Sequence, residues 1–183
     1  WVAAWPPVPP FSGQTGKTLC GITALAAVTS VDVVTFAAPA AAEQLAPAFA
    51  RHWRGLPVSI RWVAPALRPG WPRALVSGRF QSGVARAVPA LHVELERLDW
   101  ANPERLLVLD DIVLAPLLVR YGANAVLSPH DCMSRMFADH ARQARCGIDR
   151  WRYLASSLVA RHYETAFYHR ALLVHAITGH DRC

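Results

Sequence analysis

The run Val31-Asp32-Val33-Val34-Thr35-Phe36-Ala37-Ala38 constrains this chain more than any other stretch. It is β-branched and almost continuously apolar, so a strand built from it has to be covered on both faces. Such strands belong to parallel sheets, and each parallel neighbour needs a long crossover connection. The rest of the chain supplies those crossovers. Val2 to Trp5 reads as the end of a buried strand, stopped by Pro6 and Pro7. After the loop "PPVPPFSGQTG", a helix is expected from Gly16 or Lys17, with Leu19, Ile22 and Ala26 on one face. "AAEQLAPAFARHW" is helical, with Pro47 as a kink or early break, and "PVSIRWVAP" is a third strand.

Further strands are expected at "ERLLVLDD", "NAVLSPHD" and "ALLVHAIT". Between them stand an arginine-studded helical segment, "WPRALVSGRFQSGVARAV", and the sequence "IVLAPLLVRYG", read as a helix closed by Gly122. Leu91, Leu95 and Leu98 fit a short helix, although "LHVEL" also passes as a strand. From about Arg150 to Tyr168, apolar residues recur at helical spacing: Trp151, Leu154, Leu158, Tyr163 and Phe167. Strand and helix alternate without a hairpin turn signature. The expected fold is therefore α/β, a Rossmann-like, doubly wound parallel sheet in three α/β/α layers. The 183 residues suffice for one such domain, 1–183. The chain opens inside an apolar segment without a methionine and stops abruptly at Cys183, so both ends read as cuts.

Composition excludes some functions. A hydrophobic content of 53% against 17% charged residues argues against disorder. The net charge of +6 is almost all arginine, Lys17 being the single lysine, and no basic run interleaved with aromatics points to nucleic acid. No apolar run reaches the ~18 residues that span a bilayer. The four cysteines form no CxxC pair, so neither disulfides nor a zinc framework are expected, and a cytoplasmic setting is. His130, Cys132, His140 and Cys146 match no zinc spacing.

"SGQTGKTL" invites comparison with the phosphate loop of nucleotide-binding proteins. That loop needs four residues between its first glycine and Gly-Lys-Thr, so that backbone amides can wrap a phosphate. Here Phe11 holds the glycine position, only Gln14 and Thr15 separate Gly13 from Gly16, and no strand aspartate stands out as a partner. The dinucleotide fingerprint GxGxxG also fails. A glycine just before a helix still lets an anion reach free amides. Asp110-Asp111 reads as a helix N-cap plus a solvated neighbour rather than a metal-binding pair, and Glu164 as a salt-bridge partner of Arg161 or Arg170.

Three features in order carry a resemblance. A strand enters the Pro-rich loop "PPVPPFSG" and then a helix. A later strand ends in "LSPHDCMSRMF". A long helix, "RWRYLASSLVARHYETAFY", leads into "ALLVHAITGHDR". This arrangement resembles the N-terminal domain of family 4 retaining glycosyltransferases of the GT-B fold, especially bacterial sugar transferases of polysaccharide biosynthesis. Tyr163-Glu164 and Thr178-Gly179-His180-Asp181 stand where that pattern expects them. The resemblance implies transfer of a sugar from a nucleotide-diphosphate sugar to an acceptor hydroxyl with retention, and no metal or other cofactor. It implies that Gly13 and Ser12 lie against the donor phosphate or sugar, that His130 is the catalytic residue at the cleft, and that Asp131 and Asp181 line the acceptor side. The donor-binding C-terminal half would lie outside these residues, so the fragment alone is expected to be inactive. The acceptor would be a glycan or a lipid-linked molecule, with peripheral contact to the inner face of the plasma membrane. Alternatives are another GT-B enzyme, or a stand-alone flavodoxin-like binding module without chemistry.

Overall fold

A computed structural model describes residues 1–8, 13–67, 88–98, 102 and 104–175. The arginine-studded segment at 71–87, Ser12, and the segment from 176 onward with Asp181 lie outside the described residues. In chain order the elements are β1 (Val2–Ala3), α1 (Gly13–Ala26), β2 (Val31–Phe36), α2 (Pro39–His52), β3 (Val58–Val63), α3 (Pro89–Arg97) and β4 (Leu107–Asp110). A 3₁₀ turn (Ile112–Leu117), the single-turn α4 (Leu118–Tyr121) and a second 3₁₀ turn (Gly122–Asn124) follow. The chain continues through β5 (Ala125–Leu127), α5 (Met133–Gln143), α6 (Gly147–Phe167), a third 3₁₀ turn (Tyr168–Arg170) and β6 (Leu173–Val174).

The six strands form one sheet in the order β3-β2-β1-β4-β5-β6, and every pairing is parallel. β2 shows why its sequence is almost continuously apolar. Val31 and Val33 pack with Ile22 of α1 and with Phe49 and Trp53 at the end of α2. Val34 and Phe36 join the opposite cluster, with Leu91 and Leu95 of α3, Ile112 to Leu118, and Tyr163 of α6. The apolar side chains of the strand thus leave water on one face or the other, while Asp32 stays partly exposed, and a fully buried aliphatic or aromatic residue contributes about 1.5–3 kcal/mol. Two covered faces make the three-layer arrangement expected from the sequence. Among the described residues, no helix is long and apolar enough to cross a membrane.

Several local expectations change. α1 begins at Gly13, a turn earlier than its apolar periodicity suggests, so Gly13 to Gly16 form helix rather than an open loop. α2 continues through Pro47, which is exposed; the carbonyl of Glu43, deprived of its helical donor, also belongs to an exposed residue. "IVLAPLLVRYG" is not one α-helix, because Pro116 lacks the N–H an α-turn needs, and the buried segment tightens into 3₁₀ geometry. α5 has no counterpart among the expected elements. In α6 the helix itself is as expected, but the buried face is Ala160, Tyr163 and Glu164, whereas Trp151 and Leu158 are exposed. Leu91 and Leu95 are buried on a helix, which resolves the ambiguity of "LHVEL".

Candidate active site

The strand order reverses at β1, whose neighbours are β2 on one side and β4 on the other. The connections leaving β1 and β4 therefore diverge, and their carboxyl ends border the crevice in which ligands of open α/β sheets bind. Gly13 stands at the start of α1, downstream of β1. Asp110 closes β4, and His130 lies between β5 and α5. All three gather on the same rim.

Asp110 is the centre of this rim. It is 2% exposed, and its Oδ2 accepts a short hydrogen bond from the hydroxyl of Thr18, itself 2% exposed on α1. The other oxygen, Oδ1, lies 3.4 Å from Nε2 of His130, whose side chain is 10% exposed. Neither Asp110 Oδ1 nor either ring nitrogen of His130 has a hydrogen bond among the described residues. Lys17 Nζ donates to the carbonyl of Pro129 at 3.1 Å, tying α1 to the histidine loop. The strand aspartate missing from the sequence reading is thus present as Asp110. The phosphate-loop pattern still departs from its template, because Gly13 to Gly16 are already helical.

Asp111 caps the first 3₁₀ turn through Val113 N at 3.0 Å, and its Oδ2 accepts from Trp5 Nε1 at 3.3 Å. Capping was expected, but the neighbouring carboxylate is buried rather than solvated. Asp111 adopts φ 136°, a conformation that non-glycine residues rarely take and that stores about 1–3 kcal/mol. The strain turns the chain sharply at the end of β4, with Asp110 on the sheet side and Asp111 on the turn side.

Glu164 corrects a second expectation. It is 6% exposed and pairs with neither Arg161 nor Arg170. Its Oε1 accepts from the backbone amide of Ser134 at 3.0 Å, and its Oε2 takes a short hydrogen bond from the Ser134 hydroxyl. The carboxylate therefore sits at the positive N-terminal end of α5, immediately after the His130 loop. Ser157 Oγ also donates to Ser134 O at 2.8 Å, locking α6 onto the same turn. The signal for α5 was present in Met133, Phe137 and Ala141 at helical spacing; the signal for its cap was not, because Glu164 lies thirty residues away.

Of the remaining candidates, Asp131 is solvent-exposed beside His130. Gly13 is exposed, and an added Cβ would meet nothing within 4 Å. On the far side of the loop, His175 Nδ1 lies 3.3 Å from Ser128 Oγ, consistent with a structural histidine. Tyr168 is pushed well above the ordinary range of a phenol, first by burial and then by the nearby carboxylates of Glu164 and Asp111. Cys20 and Cys146 are free and exposed, and Cys132 Sγ lies 3.7 Å from Glu164 Oε1. Among the described residues, no group of three or more His, Cys, Asp or Glu is placed to hold a metal ion.

Compared with family models, curated proteins and solved structures, the chain matches none.

Proposed function

We propose that this chain is the acceptor-side, N-terminal domain of a retaining GT-B glycosyltransferase that moves a sugar from a nucleotide diphosphate to a hydroxyl of a glycan or lipid-linked acceptor. The observation that carries the reading is the buried His130–Asp110 pair at the switch-point rim, where α1 also begins. The ordered motifs that resemble family 4 transferases support it independently. In this reading the N-terminal end of α1, with Ser12 and Gly13, faces the departing diphosphate. Free amides and the helix dipole there favour developing negative charge. His130 takes a sugar hydroxyl, and Asp131 and Asp181 flank the acceptor. The anomeric C–O bond to the diphosphate breaks with its electron pair leaving on phosphate. The acceptor oxygen bonds the same carbon on the same face and passes its proton to the oxygen of the departing diphosphate.

The test uses the protein translated from the whole reading frame that carries these residues, with UDP-, GDP- and ADP-linked sugars as donors. Gly13→Val and His130→Ala each lower transfer by about a hundred-fold while the thermal transition stays in place. Unchanged turnover in both variants would remove the site assignment. A second reading, a phosphate-loop nucleotide site, is favoured by the Thr18–Asp110 contact. Tight magnesium-ATP binding that is lost in Lys17→Ala would replace the transferase reading with it.

A further inference from the structure

Asp110 has no place in the sequence resemblance, yet it is the most completely enclosed charged side chain on the rim. A carboxylate only accepts hydrogen bonds, and one left unpaired in the interior is costly. Thr18 serves one oxygen of Asp110. The other faces an imidazole nitrogen at 3.4 Å without the alignment of a hydrogen bond. A neutral imidazole carries its proton on one nitrogen and a lone pair on the other. With the proton on Nδ1, the lone pair of Nε2 would confront the Asp110 oxygen, two acceptors facing each other away from water. With the proton on Nε2, the same contact becomes attractive, and unbound sites commonly hold such contacts long until ligand closes them.

We infer that Asp110 is a positioning residue: it holds His130 as the Nε2–H tautomer and leaves Nδ1 as a buried acceptor reserved for a hydroxyl of the bound sugar. The inference rests on the transferase reading for the identity of the ligand. It also separates two kinds of ligand chemistry along the rim. An acceptor-only anion such as a phosphate finds a lone pair at Nδ1 and a carboxylate behind it, so it is turned away from His130. A hydroxyl donor satisfies Nδ1, which has no partner in the free protein. Phosphate is thus directed to the start of α1 and the sugar hydroxyl to His130. Lys17, bonded to Pro129 O, and Thr18, bonded to Asp110, keep the two halves of the rim in register.

Long-range proton–nitrogen correlation spectra of the ¹⁵N-histidine-labelled chain at about pH 8 test the assignment. The expected result is an Nε2–H tautomer of His130 whose proton is protected from exchange. Asp110→Ala abolishes that protection, and Thr18→Val retains it. An Nδ1–H tautomer in the unmodified chain, or a protected Nε2–H signal unchanged in Asp110→Ala, overturns the proposal. The first of these needs no variant to fold. In the sugar-transfer assay, Asp110→Asn lowers kcat by about a hundred-fold with KM for the donor within about two-fold. Wild-type kcat in Asp110→Asn sinks this inference and leaves the transferase reading standing. Absence of transfer by the unmodified protein with every donor sinks that reading, while the tautomer result stands by itself.

Discussion

Replacing Glu164 by alanine removes the one carboxylate that receives both polar donors of Ser134. Its worth follows from the geometry. The Ser134 amide belongs to the first turn of α5, where no intrahelical acceptor exists, so the amide at 3.0 Å depends on Glu164. Stranding a partly buried donor costs about 1–3 kcal/mol, and the hydroxyl adds about 1 kcal/mol more. Loss of the negative charge from the helix N-terminus contributes a few tenths to about 1 kcal/mol. Glu164→Ala should therefore destabilise the domain by about 2–5 kcal/mol, and urea unfolding should show a midpoint lower by about 1–2.5 M. Ser134→Ala leaves the amide bond intact and should cost about 1.5 kcal/mol. The double variant should cost less than the sum, with a coupling near 1 kcal/mol. Hydrogen exchange at the Ser134 amide should accelerate in Glu164→Ala only. A cost under about 0.5 kcal/mol for Glu164→Ala, or strict additivity with Ser134→Ala, would refute the capping argument.

Tyr168 carries a buried hydroxyl without a hydrogen-bond partner, so Tyr168→Phe should leave stability at neutral pH unchanged or raise it by up to about 1 kcal/mol in thermal unfolding. Because burial raises its pKa in the folded state, stability tied to the neutral phenol is complete below about pH 10 and falls as pH rises above it; the phenylalanine variant should show a shallower alkaline decline. Gly122→Ala would set a Cβ 2.2 Å from the backbone oxygen of Arg170, so calorimetry should show a loss of about 1–3 kcal/mol or more. Pro47→Ala restores an N–H inside α2 at an exposed position and should stabilise by about 1–2 kcal/mol after the entropy gained by the unfolded chain, a value that chemical denaturation reads directly.

The legible parts of the site were those encoded by neighbours in the chain. The turn chemistry of Asp111 and the loop position of His130 followed from a strand followed by polar residues. The burial of Asp110, its bond to Thr18 and its approach to His130 did not, because these residues are 92 and 20 positions apart and meet only when β1 and β5 both pair with β4. Glu164 was misassigned for the same reason: arginines three and six residues away are the obvious partners in one dimension, and the unpaired end of α5 exists only after α5 and α6 dock.

By itself, the amino-acid sequence determined the class of fold. A strand such as Val31–Phe36 has apolar side chains on both faces, and burial of both demands helical layers above and below a parallel sheet. Periodicity is a short-range property, so it survives in the linear chain. The strand order and the pairing of Asp110 with the imidazole were decided by tertiary structure alone, whereas the shared rim of Gly13, Asp110 and His130 already followed from their places at strand ends. Hydrogen bonds across the sheet and between layers join residues whose separation in sequence carries no information about their separation in space.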